Sequence, residues 1–148
     1  MPDFARGFVR DLRPRWACEE IGLDYAEHLI SAINRPADHF LFQPWGQVPV
    51  LNDGGIRLFE SGAILLHLAE KDARLMPRDP QQRAKVDWYL HYHHRNVRDA
   101  SIGLVAPKIR KDLNIPDIIQ QSARSTFTRA VRTLDTGWLA QSRYLTGD

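Results

Sequence analysis

Cysteine is almost missing from this chain. Cys18 is the one copy in 148 residues. A lone thiol can close no internal disulfide and build no multi-cysteine zinc site. Long apolar runs are missing too, so no segment of roughly 20 apolar residues is available to span a bilayer. The first ten residues, MPDFARGFVR, have no apolar signal core, and secretion by that route is not expected. Runs of one charge sign are absent. Twenty Lys and Arg against 18 Asp and Glu leave a net charge of only +2, which gives little case for a nucleic-acid partner. What the chain does have is a globular composition: 43% hydrophobic and 26% charged residues argue against disorder. A chain of this length buries about two-thirds of its unfolded surface, enough for one or two small domains.

The pattern changes near residues 73–82, where two prolines and several charges read as a linker. Short mixed segments rich in turn residues precede it, and two long helical patterns follow. An α/β unit followed by an all-α unit is expected, with bounds 1–75 and 82–148. In the first unit, a helix near Asp11–Ile21 has Asp11 to cap it, Pro14 in its first turn and Gly22 to stop it. Asp24–Ile30 alternates weakly and suggests a strand. Residues 31–46 read as irregular, with one helical turn at most. Gln47–Leu51 reads as a short strand, the Asp53-Gly54-Gly55 run as a hairpin turn, and Ile56–Phe59 as the antiparallel return. Pro49 has no backbone donor, so it belongs on an edge or on a strand whose open side faces a ligand. Ser61, a favoured cap residue, opens a helix to about Lys71 with Ile64, Leu65 and Leu68 on one face.

In the second unit, Asp79-Pro80-Gln81-Gln82 combines a cap, a first-turn proline and a capping-box glutamine. Val86, Leu90, His93, Val97, Ala100 and Leu104 continue one stripe until Pro107 ends or kinks it. Pro116-Asp117 opens the last helix, striped by Ile119, Ala123, Phe127, Val131, Leu134 and Trp138. His91 and His94, three apart, have the spacing of a shared metal site, but no carboxylate or cysteine completes a set, and no metal is expected. Trp88, Tyr89 and Tyr92 beside Arg95 and Arg98 could stack nucleobases, although a cleft or dimer surface is the plainer reading.

The run GQVPVLNDGG, followed by LFESGAILLHLAE, resembles the glutathione transferase family in both order and spacing. VRDLRPRWACEEIGLDY is similar to the family's first helix and second strand. KVDWYLHYHHRNVR looks like the start of its helical domain, most like theta-type members. The resemblance implies a thioredoxin-like N-terminal domain and a helical C-terminal domain, the latter incomplete, with the chain shortened at both ends. It implies glutathione as co-substrate with no further cofactor, a hydrophobic electrophile bound between the domains, homodimerisation and a cytoplasmic setting without membrane attachment. Val48 would pair its main chain with the cysteinyl backbone of glutathione, ahead of a cis Pro49. Gln47 would lie near the glycyl end, and Glu60 and Ser61 would hold the γ-glutamyl end. Physical chemistry agrees: an extended peptide needs a strand edge, and a carboxylate suits the amides and dipole at a helix start. Glu60 can accept from the γ-glutamyl ammonium.

Conjugation also needs a thiolate, and a free thiol of pKa about 8.5 is mostly protonated at neutral pH. Family members place a Ser, Tyr or Cys donor in the turn before the first helix. Here that turn, Phe4–Asp11, contains none, which leaves Arg6, Arg10 and the helix-start amides as anion stabilisers. Cys18 falls on an apolar helix face and reads as core. No catalytic residue is assigned. The alternative to an enzyme is a non-catalytic interaction module of the same fold.

Overall fold

The computed structural model describes residues 10–31, 34–109 and 114–146. The chain divides into two units, Met1–Arg78 and Asp79–Asp148. The first contains helix α1 (Leu12–Ile21), the short α2 (His39–Phe42), strands β1 (Val50–Asp53) and β2 (Ile56–Phe59), and helix α3 (Ser61–Ala69). The second contains α4 (Pro80–Tyr92), a π-helical segment His93–Arg98, α5 (Asp99–Ile109), α6 (Asp117–Arg132) and a second π-helical segment, Thr133–Trp138.

In the first unit, β1 and β2 form the expected antiparallel hairpin, with Val50 opposite Phe59 and Asp53 opposite Ile56 across the two-residue Gly54-Gly55 turn. A four-residue strand pair is marginal alone, and α3 covers it. Ala17 and Cys18 of α1 meet Ile64 and Leu68 of α3, with Leu23, Leu51, Leu58, Leu65 and Leu75 packed around them. Cys18 is thus core. Burial raises its thiol pKa, so it stays protonated and unreactive.

Polar contacts fix the ends of these elements. Gly22 closes α1, where the Leu23 amide donates to the Cys18 carbonyl (2.9 Å) and the Gly22 amide to the Glu19 carbonyl (3.2 Å). Arg74 Nη2 donates to the last α1 carbonyl, Ile21 O, at 3.0 Å, while Nη2 and Nε grip Asp72. Asp53 at the end of β1 accepts from His67 Nε2 and Lys71 Nζ, both at 2.7 Å, which ties the hairpin to α3. The Lys71 and then the His67 hydrogen bonds hold the Asp53 carboxyl below its ordinary range.

Three expectations for this unit need correction. Asp11 precedes α1 but makes no side-chain cap bond; its backbone is already helical, so the carboxylate turns along the helix to Arg15 (3.8 Å). Residues 24–30 are not a strand: among the described residues nothing pairs with them, and Asp24 to Leu29 stay exposed. Ser61 is not the cap of α3 but its first helical residue, because Glu60 takes the cap position.

In the second unit, Asp79 caps α4 by accepting from the Gln82 amide (2.9 Å), with Pro80 in the first turn. The rod continues through the first π-helical segment, where Asn96 Nδ2 inserts a donor at the Tyr92 carbonyl (3.3 Å). The second π segment starts where the Thr133 and Thr136 hydroxyls bond back to Arg129 and Arg132 carbonyls (3.0 and 2.9 Å). Each extra residue per turn shifts the facing stripe. On α6 itself Ala130 is the buried position, at ordinary helical spacing from Ala123 and Phe127, which with Leu134 and Trp138 are half-buried, while Ile119 and Val131 of the expected stripe are exposed. Trp138 packs edge-on against Trp88, Tyr89 and Tyr92 at ring separations of 4.5–5.1 Å. Pro107 does not stop α5 but sits inside its last turn, where its missing N–H frees the Gly103 carbonyl. Gly103 faces α6 so closely that an added Cβ would stand 2.6 Å from Ala123 Cβ.

Two measurements check this packing. Gly103→Val should destabilise the chain by about 1–3 kcal/mol in urea unfolding through overpacking; an unchanged midpoint would mean that α5 and α6 do not cross there. Arg74 lowers the Asp72 pKa from the ordinary 3.8 to about 2. A depressed carboxyl adds stability above its unfolded pKa and loses it as pH falls through the folded value. Asp72→Asn should therefore flatten the fall in stability between about pH 4 and pH 2, and an acid limb as steep as wild type would contradict the clamp.

Candidate functional site

The site is assembled around one stretch of main chain, Gly46-Gln47-Val48-Pro49, that enters β1. The tight bend at Gly46 (φ +63°) sits against the Phe40 ring. A Cβ there would lie 2.8 Å from Phe40 Cε1 and 2.9 Å from Arg35 Cδ, so only glycine fits. The Gly46 amide donates to the Gln43 carbonyl at 2.8 Å.

Two buried polar side chains, His39 of α2 and Gln43 at its C-terminal cap, then hold Gln47. His39, 4% exposed, places Nε2 at 2.9 Å from the Gln47 carbonyl. A carbonyl only accepts, so Nε2 carries the proton. Gln43, 2% exposed, accepts the Gln47 amide on Oε1 at 3.0 Å. Both main-chain groups of Gln47 are thereby fixed from inside the fold. The next peptide bond, Val48–Pro49, is cis, as the sequence reading anticipates. On the far side of α2, the Arg57 guanidinium lies 4.4 Å over the Phe42 ring and binds α2 to β2.

Opposite this rim, β2 runs into α3 through Glu60, whose φ is +70°. Positive φ at a non-glycine residue is strained, and such strain gathers where a side chain must point a particular way. Here it leaves the Glu60 carboxylate exposed beside the start of α3. Ser61 follows, 1% exposed, and among the described residues its Oγ has no hydrogen-bond partner. A buried hydroxyl without a partner is costly, unlike the satisfied groups around it.

Gln47, Val48, Pro49, Glu60 and Ser61 line one small depression together with Arg10 and Gln43. The five residues named from sequence are therefore brought to one place. Arg10 Nη1 lies 3.9 Å from Glu60 Oε2. Arg6, the other arginine of the donor-less turn, lies outside the described residues. Sequence reading missed His39 and Gln43, although a His and a Gln four apart just ahead of a Pro-x-Gly bend were the available signal. Among the described residues no group of three His, Cys, Asp or Glu could hold a metal ion, and no helix is long and apolar enough to cross a membrane.

A small α/β unit with a main-chain rim facing a Glu-Ser helix start, followed by a helical unit, defines a class, and comparison with known proteins identifies it. Residues 5–70 match the family model for the glutathione S-transferase N-terminal domain. The chain is 33% identical to Arabidopsis thaliana glutathione S-transferase T1 over 143 residues, covering 88% of this chain and 58% of that protein. It is 37% identical over 92 residues to mouse glutathione S-transferase theta-1, covering 60% of this chain and 36% of that protein. Among solved structures, the theta-class enzyme of Xanthomonas axonopodis pv. citri with glutathione bound superposes with a TM-score of 0.79 at 26% identity, covering 94% of this chain and 68% of that one. Populus trichocarpa glutathione transferase F2 gives 0.81 at 25% identity, covering 94% and 69%. The chain belongs to the glutathione S-transferase family, with a thioredoxin-like N-terminal domain and a helical C-terminal part. It spans 58% and 36% of the length of the two relatives named above.

The strain at Glu60 can be measured directly. Glu60→Gly should be more stable than Glu60→Ala by about 1 kcal/mol in chemical unfolding, because glycine adopts positive φ freely whereas alanine keeps the strain. A less stable glycine variant would show that Glu60 is not strained.

Proposed function

We propose that this chain binds glutathione in the depression between Val48 and Ser61 and conjugates it to a hydrophobic electrophile. The observation that carries this reading is the buried Ser61 hydroxyl at the start of α3, without a hydrogen-bond partner among the described residues, beside an exposed Glu60 held at positive φ. A γ-glutamyl end carries an ammonium and a carboxylate on one carbon. Glu60 suits the ammonium, and the Ser61 hydroxyl with the first α3 amides suits the carboxylate. Facing them, the Val48 main chain offers the cysteinyl backbone of an extended tripeptide a strand-like partner. Gln47 stands near the glycyl end, its main chain held by His39 and Gln43.

The chemistry follows from that pose. The bound thiol gives its proton to solvent. The sulfur lone pair forms the new S–C bond as the carbon releases its leaving group with the old bond pair. The tripeptide is consumed as co-substrate, and no further cofactor takes part. We extend the reading to a homodimer acting in the cytoplasm. The relatives' names support the activity: both are glutathione S-transferases, and the Xanthomonas structure contains glutathione.

Ser61→Ala is the sharpest test. Removing a buried hydroxyl that has no partner among the described residues should leave the protein at least as stable as wild type in unfolding, and more stable by up to about 1–3 kcal/mol. It should also weaken glutathione binding about tenfold or more in calorimetry, the cost of a hydrogen bond to a charged group. Equal affinity in both proteins would overturn the assignment. Wild-type binding without turnover of a generic aryl halide would favour the interaction module.

A further inference from the structure

Resting on that glutathione-binding reading, we propose that Arg10 is the residue that stabilises the glutathione thiolate. Among the described residues, Arg10 is the cation of the turn before α1 that lines the depression. Of the amides at that helix start, the Arg13 N–H is directed at the Arg10 carbonyl (3.3 Å) and the Arg15 N–H at the Asp11 carbonyl (3.3 Å), while Pro14 has none. Neither Asp11 nor Arg15 helps with its side chain. Asp11 is an anion, and Arg15 is committed to Asp11 (3.8 Å) and Glu27 (2.6 Å).

Arg10 is different. Its guanidinium opens onto the same depression as Val48, Pro49, Glu60 and Ser61, the place where the cysteinyl residue of an extended tripeptide lies between its two ends. The charged group that faces it is Glu60, at 3.9 Å, a long contact between two partly exposed side chains. Such a pair is weak and easily exchanged. When the γ-glutamyl ammonium takes up Glu60, the guanidinium is released to the sulfur. The resting pair thus keeps each charge compensated until the ligand divides it: the acid serves the ligand's cation and the arginine its thiolate. Guanidinium stays protonated at all working pH values. It therefore acts as an electrostatic stabiliser of the anion and not as a base; the thiol proton leaves to solvent.

The test compares glutathione with S-methylglutathione, which has no thiol to ionise, on wild type, Arg10→Gln and Arg10→Lys. The pKa of bound glutathione is read from thiolate absorbance in the ultraviolet, and affinities come from calorimetry. In Arg10→Gln the bound thiol pKa should rise by about one to two units, with Arg10→Lys recovering part of the shift. S-methylglutathione affinity should change less than about threefold, since that ligand makes every contact except the thiolate's. A bound thiol pKa unchanged in Arg10→Gln would overturn the proposal. So would an equal loss of both ligands, which would put Arg10 on the γ-glutamyl carboxylate. Wild type failing to bind S-methylglutathione at all would overturn the underlying reading as well, so the two failures are told apart.

Discussion

Everything at the site depends on one residue's main chain being satisfied from within. Gln47 turns its amide to Gln43 and its carbonyl to His39. A backbone group shielded from water must find a partner somewhere, and here both partners are buried side chains, His39 at the start of α2 and Gln43 just past its end. With Gln47 fixed on its inner side, the chain that follows is presented at a set height and angle. The next residue, Val48, borders the depression. The short α2 therefore acts as a bracket, itself held by Arg57 stacked on Phe42 and by the close seat of Gly46 on Phe40.

The opposite wall works by a different principle. Where α2 satisfies groups, the start of α3 leaves one unsatisfied and one strained. Glu60 holds a backbone angle that most residues avoid, and Ser61 buries a hydroxyl that finds no partner among the described residues. Both features cost stability in the free protein, and the α1–α3 core beneath them supplies the rigidity that maintains them. The Asp53 contacts with His67 and Lys71 serve the same end, because they bind the hairpin and α3 into one body. A site of this kind is built ahead of its ligand, so little ordering cost falls due on binding.

What the sequence made legible were the features written in local chemistry. The Gly54-Gly55 hairpin, the α1 stop at Gly22, the Asp79 cap and the Glu60-Ser61 pair each declare themselves within a few residues. Interactions that depend on the third dimension were not legible. His39 and Gln43 looked like part of an irregular stretch, because their value lies in where the chain bends back. Asp11 and Ser61 are cap residue types, yet tertiary context turned one to Arg15 and moved the other one place into its helix. The weak alternation at 24–30 has no ladder partner among the described residues, and a strand exists only by pairing. On α6 the packed face runs through Ala123, Phe127 and Ala130 and on to Leu134, which is ordinary α-helical spacing, so the stripe read through Val131 was one residue off.

The central claim is that the Val48 rim and the α3 start together clamp an extended tripeptide. It is tested most directly by titrating ¹⁵N-labelled protein with glutathione and following the backbone amides. The account predicts large shifts at Val48, Ser61 and Gly62, with the hairpin-turn amides of Gly54 and Gly55 unmoved. Shifts confined to other parts of the chain, or saturation with the Val48 and Ser61 amides unperturbed, would contradict it.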